Sequence, residues 1–297
     1  MSVSVSVAAE LARIERVGTE VKGPTALGSS PRRLWTLAWA LAVTDFRLRF
    51  FGSVLGYLWQ LMRPLMLFGV LYAVFSLFLD VGEDVAYYPV ALLLGIVLYS
   101  FFNEATSSSV RSLVMRENLV RKIDFPRLAV PLASVLTALF HLALNLVPVF
   151  VFLLASGGRP RLGWLALPFL LGLLALFARG LGMLLSALFV RFRDVEPIWD
   201  VVLQITFYAT PIFYPIELLL DPDQKDLPTV AHLIMCNPFA AILQAARHLV
   251  IDPSYASAAE AIGGTALLLV PLGLLALAVY VGFRVFAREA PRVAEEL

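Results

Sequence analysis

Six long apolar stretches, each nearly free of charge, constrain this chain more than any other feature of its sequence. A helix needs about 20 mainly apolar residues to cross the hydrocarbon of a bilayer. Residues 56–79 supply such a run, with Arg63 near its cytosolic end, and residues 85–103 supply a second. Residues 128–158 form a third, and 162–190 a fourth that only Arg179 interrupts. The fifth, 197–220, carries Asp200 and Glu217 near its ends, and the sixth is 261–283. A soluble globule could not hide a composition that is 60% hydrophobic and 15% charged, because polar side chains must still cover its exterior. The chain therefore reads as an all-α polytopic membrane protein with six transmembrane helices.

Residues 227–246 are apolar but carry Pro228, His232, Asn237, Pro238 and Gln244. Irregular backbone survives at membrane depth only where protein or water satisfies its polar groups. This stretch is expected to form an external re-entrant hairpin before the last span. Upstream, Trp35, Trp39, Ala42, Phe46 and Phe50 recur at helical spacing beside Arg33 and Arg47. An aromatic face flanked by arginines predicts an amphipathic helix lying in the membrane interface. The expected organisation is a poorly ordered cytosolic tail over 1–30, the interfacial helix over 31–55 and a permease-like six-span domain over 56–290.

With the N-terminus inside, 18 of the 23 lysines and arginines fall on the cytosolic side. That bias places both termini in the cytosol of a plasma-membrane protein. The first external loop, residues 80–84, carries only acidic charge and agrees. Residues 1–30 lack the apolar core of a signal peptide. A net charge of +1 argues against a nucleic-acid partner.

A search for catalytic chemistry returns little. The three lysines, Lys22, Lys122 and Lys225, follow Val21, Arg121 and Gln224, so no phosphate-cradling P-loop exists. Ser156, Gly157 and Gly158 read as a turn. His232 and Cys236 stand four apart without further ligands, and Asp221, Asp223 and Asp226 lack the calcium-loop pattern, so no metal site is expected.

Five short motifs stand out. Residues 47–59 read Arg-Leu-Arg-Phe-Phe-Gly-Ser-Val-Leu-Gly-Tyr-Leu-Trp, and residues 118–126 read Asn-Leu-Val-Arg-Lys-Ile-Asp-Phe-Pro. Residues 190–194 read Val-Arg-Phe-Arg-Asp, residues 211–215 read Pro-Ile-Phe-Tyr-Pro, and Asn237 precedes Pro238. In this order and spacing the chain resembles the permease subunits of type-2 ATP-binding-cassette exporters. The likeness covers roughly residues 35–290. It is nearest to the branch that exports lipid-linked polysaccharides such as O-antigen, teichoic acid and capsule.

The resemblance implies a transport subunit rather than an enzyme. Two copies would pair and each would dock a separate ATPase subunit, which binds the ATP and magnesium. It also implies that residues 118–126 are the cytosolic coupling helix. There Arg121 and Lys122 keep the loop out of the hydrocarbon, and Asn118 opens it. Leu119, Val120, Ile123 and Phe125 offer an apolar anchor, and Pro126 stops the helix from running into span three. Arg47 and Arg49, just before the Leu55–Gly56 turn, are candidates for the phosphate of the lipid-linked substrate, or else for membrane anchoring.

Tyr99, Phe101 and Phe102 in span two and Phe207, Tyr208, Phe213 and Tyr214 in span five could line a glycan conduit. Such rings also belong to interfacial belts in any membrane protein. Arg179 at mid-span must face the protein interior or water, with Glu104 or Asn103 as expected partners and an ion pair or a phosphate contact as its role. Two rival functions remain at this stage: export of a small hydrophobic drug or lipid, and a polytopic glycosyl- or phosphotransferase.

Overall fold

The computed structural model describes residues 30–50, 56–83, 85–120, 125–220 and 227–289. Every regular element among them is helical. The expected tail, Leu55, Arg121, Lys122 and Ile123 lie outside the described residues, as does the end of the chain after Glu289.

Helix α1 spans Pro31–Phe50, with proline at a first-turn position where a missing N–H costs nothing. Its buried seam is Leu34, Ala38 and Ala42, one residue per turn. These small side chains let it lie close against the start of α4, Ala129–Ala155. The aromatic stripe therefore splits. Trp35 and Trp39 stay half-exposed, whereas Phe46 turns inward onto Phe140 and the ring of His141.

Helix α2 (Gly56–Tyr72) contains Pro64 and continues as a π-helical stretch, Ala73–Phe78. Helix α3 (Tyr88–Val110) is apolar all round from Val90 to Leu98 and is buried along that length. A helix without a polar face belongs at the centre of a bundle, and α3 packs on α2, α4, α5 and α6. Helix α5 is Leu167–Arg191 and helix α6 is Val195–Ala209. Residues 110–120, 125–128 and 191–194 lie at one end of this antiparallel bundle, here termed the basic end after Arg111, Arg116, Arg127, Arg191 and Arg193.

The fifth apolar run is not one continuous helix. Helix α6 stops at Ala209, and Thr210 turns to an extended conformation (φ −93°, ψ 145°) ahead of Pro211. A residue before proline is pushed out of the helical region, and Pro215 is itself extended (φ −71°, ψ 136°) before the short turn Ile216–Leu219. Among the described residues, five helical segments are individually long and apolar enough to cross a membrane: Leu58–Phe78, Tyr88–Val110, Ala129–Ala155, Leu162–Arg191 and Thr265–Glu289.

The stretch expected to form the hairpin folds as two helices joined at a sharp bend. Helix α7 (Leu227–Met235) and helix α8 (Pro238–Ala246, extended through Ile251) meet at a bend of 98°. Asn237 makes the bend, its side-chain oxygen capping α8 by accepting from the Phe239 amide at 3.0 Å.

Helix α9 (Leu269–Glu289) lies along α5 at backbone contact. A Cβ on Gly282 would fall 2.0 Å from the Gly180 carbonyl oxygen, and one on Gly180 would fall 2.8 Å from the Val279 backbone. Small residues permit such approach where hydrophobicity alone cannot hold helices together in lipid. Gly180→Val should lower the apparent melting temperature of the purified protein in detergent, at a cost of about 1–3 kcal/mol for overpacking. Gly172→Val on the same helix, where nothing lies within 4 Å, should leave it unchanged.

Candidate functional site

A cleft of about 790 Å³ lies in the half of the bundle nearer the basic end. It opens between α1, α2, α3 and α4, and its lining is polar for a membrane protein. Arg49, Arg63, Asn103, Glu104, His141 and Asn145 contribute to it, with Trp59 and three serines of α3 beside them. At its centre Arg49 of α1 forms an ion pair with Glu104 of α3. His141 of α4 brings its Nδ1 to 2.8 Å from the same carboxylate oxygen and 3.0 Å from Arg49 Nη1. A carboxylate only accepts, so the Nδ1 proton is assigned to the bond with Glu104. Ser108 also donates to the Glu104 carbonyl.

This cluster revises two expectations. Glu104 was expected beside Arg179, but it serves Arg49 and His141 instead. Arg179 sits on α5 with its Nε buried and unpaired, and it takes no part in the cleft lining. Arg47 and Arg49 also separate: Arg49 lines the cleft, while Arg47 is exposed outside that lining. Residues two apart on a helix do not share a face.

Six of the seven aromatic residues predicted in two clusters, all but Phe101, come together as one ladder. Phe102 stacks on Phe177 at 5.4 Å and touches Phe239, which meets Tyr99. Tyr99 lies 4.9 Å from Phe207, which in turn contacts Tyr208 and Phe213, and Phe213 contacts Tyr214. Tyr99, Phe101 and Phe102 are largely buried; Phe102 packs the bundle, while Phe101 borders the cleft and Tyr99 borders a second groove. Tyr99 also donates a 2.7 Å hydrogen bond to the Leu203 carbonyl. Tyr208 is exposed and borders the same groove, which holds about 420 Å³ between α2 and α6. Asp200 and Gln204, one turn apart on α6, line that groove, and Asn103 belongs to both cavities.

The segment matched to the coupling helix is described in part. Glu117–Val120 forms one turn with Asn118 exposed and Leu119 half-buried against α1 and its neighbours. Phe125 is only 8% exposed, packed in the same cluster as Leu34, Ala38, Leu128 and Val130, and Pro126 is buried beside it. Phe125 therefore anchors the segment to its own bundle and offers no surface to a partner. Among the described residues of this segment, Met115 turns its apolar side chain outward, at 79% exposure.

At the opposite end the irregular stretch after α6 is held by side chains. Arg247, fully buried, donates to the Ile212 carbonyl at 2.8 Å, and Tyr88 donates to the Phe213 carbonyl at 2.6 Å. Glu217 accepts from Gln244 at 3.0 Å and from the Ala256 amide at 2.8 Å. Arg247 is not among the 18 cations of the cytosolic side, and its full burial is a feature that no local sequence pattern announces. Nearby, burial pushes the Asp252 carboxyl up, but hydrogen bonds from Ser254 and Arg161 outweigh it and hold that group below the usual range. Among the described residues no cluster of His, Cys, Asp or Glu could hold a metal ion.

A family profile described as "ABC-2 type transporter" matches residues 36–251, which takes in the cleft, the ladder and the hairpin. The chain belongs to the ABC-2 type transporter family. It is 27% identical over 220 residues to an O-antigen export system permease protein of Klebsiella pneumoniae, covering 74% of this chain and 82% of that one. A protein of the same description from Myxococcus xanthus is 24% identical over 204 residues, 69% of this chain and 76% of the relative. A polysialic acid transport protein of Escherichia coli is 21% identical over 246 residues, 81% and 91% respectively.

The wetness of the cleft can be checked by thiol labelling in a Cys236→Ser background. A cysteine at exposed Ser108 should react with a membrane-impermeant maleimide in detergent-free nanodiscs. A cysteine at buried Ser109, one residue away, should react at least tenfold more slowly.

Proposed function

We propose that the chain is the membrane permease half of an exporter that moves a lipid-linked polysaccharide across the bacterial plasma membrane. Two copies act with two separate ATPase subunits, which bind the ATP and magnesium. The basic end and both termini face the cytosol, in keeping with the distribution of arginine. The observation that carries the reading is the polar cleft at that end, which meets the α2–α6 groove at Asn103. A glycan linked to lipid through phosphate needs cations at headgroup depth and then hydroxyl- and ring-compatible surfaces, not a tight apolar pocket. Arg49 and Arg63 supply the first; Asp200, Gln204 and Tyr208 supply the second. The named activities of the relatives from three bacteria point the same way.

Helix α2 and helix α6 leave Met66, Val70, Ile198, Val201 and Ile205 exposed. A second copy placed across these faces would close the open groove into a conduit. Its walls would be sequence-tolerant, since sugar rings stack on aromatics through their C–H faces. Aspartate and glutamine on a membrane helix are costly in lipid and expected along an aqueous path.

For docking the ATPase we assign the surface around Met115 and Asn118 and give Phe125 a positioning role behind it. Met115→Asp should reduce co-purification of the ATPase subunit by at least tenfold while the permease still inserts and folds. Phe125→Asp should instead lower the yield of folded permease, because it buries a charge. Deleting the gene should remove a polysaccharide from the cell surface and leave its lipid-linked form inside. Wild-type surface glycan in the deletion strain, measured by immunoblot and extraction, would overturn the proposed function.

A further inference from the structure

Arg49 has the chemistry of a phosphate site, and its fork is already engaged. Its partner is the carboxylate of Glu104, which His141 grips from the other side. Neither element is otherwise forced to bring these groups together, since α1, α3 and α4 pack mainly through apolar seams. Arg49 remains about half exposed and His141 is almost fully buried. The pair thus has a wet side and a dry side, and an anion arriving through the cleft meets the guanidinium first. Arg63 is exposed in the same lining and, among the described residues, makes no ion pair. Trp59, 63% exposed, stands beside it as a face on which a sugar could stack.

We propose that Glu104 is an internal anion that occupies the substrate-phosphate site of Arg49, and that binding of a phosphate-linked sugar displaces it. The proposal rests on the export reading above and names the group that the cleft recognises first. A neutral sugar has no charge with which to replace a carboxylate. A phosphate ester has one, and it presents two or more oxygens that match the planar fork of arginine. Exchange would also have a mechanical result. Helix α1 loses its tie to α3 and α4 at Arg49, yet it keeps the Asp45–Arg116 ion pair one turn earlier. Arg116 directly precedes the Glu117–Val120 turn assigned to ATPase docking. Occupation of the cleft is thereby reported to the docking segment through α1.

The test is equilibrium binding to the complete permease–ATPase complex in nanodiscs, using a fluorescent short-prenyl diphosphoryl N-acetylglucosamine as probe. Glu104→Gln keeps the size and hydrogen bonding of the side chain but removes the competing charge. It should tighten binding by about three- to tenfold, the scale of a partly exposed ion pair. In an Arg49→Gln background the same change should have no effect, because the contested group is gone. Octyl N-acetylglucosaminide, which lacks phosphate, should bind both forms equally. An affinity unchanged by Glu104→Gln, or tightened equally without Arg49, overturns the exchange while leaving the export reading intact. Failure of the wild-type complex to bind the probe overturns both. Competition by inorganic diphosphate or by phosphatidylglycerol as strong as that by unlabelled probe would reassign the site to soluble phosphate or bulk lipid.

Discussion

Hydrogen-bond satisfaction of the backbone in a medium without water governs this architecture. Helices meet that demand internally, which is why the described chain contains no other regular element. Where the helix must break, side chains take over the role. The carbonyls of Ile212 and Phe213 would be orphaned in the extended stretch after α6, and Arg247 and Tyr88 donate to them. Tyr255 does the same for the Ala86 carbonyl before α3. The hairpin, the broken fifth run and the mouth of α3 are therefore one hydrogen-bonded unit. Arg247 contributes a charge in the protein interior, where an unpaired one is costly. Its value lies in the backbone that it completes.

Much of this was legible in the sequence because hydrophobic run length reports directly on membrane helices. The bend at Asn237–Pro238 was legible too, since proline and an amide cap at that spacing carry local meaning. The break at Thr210 was written in Pro211 and Pro215, but the apolar run on either side masked it. The burial of Arg247 was not legible, because charge alone suggests exposure and its carbonyl partner lies 35 residues back in sequence, in the irregular stretch after α6. Phe125 was misread for the complementary reason. An apolar residue in a charged loop can face a partner or its own core, and composition does not distinguish the two.

The site shows the same division. Arg49 could be picked out from its place beside the first span, and the aromatic positions from their density. Glu104 and His141 could not be assigned to it, because 37 residues separate them and neither belongs to a motif. Asp200 and Gln204 were visible only as imperfections in an apolar run. Their placement on an open groove, next to Tyr208, turns those imperfections into the lining of an aqueous surface. Phe102 moved in the opposite direction, from candidate lining to interior packing against Phe177 and Phe239.

The backbone contact between Gly180 and Gly282 also bears on which parts of the molecule are able to shift. Two helices whose main chains interlock at this separation cannot slide or roll past each other without steric collision. Helices α5 and α9 thus behave as a single beam, and α3 is wedged beside it by the Phe102–Phe177 stack. Helices α2 and α6 lack any such interlock and turn large apolar faces outward. Any widening large enough for a sugar chain must come from swinging those two peripheral helices against a stationary frame. The frame is built from residues with no side chain to lose.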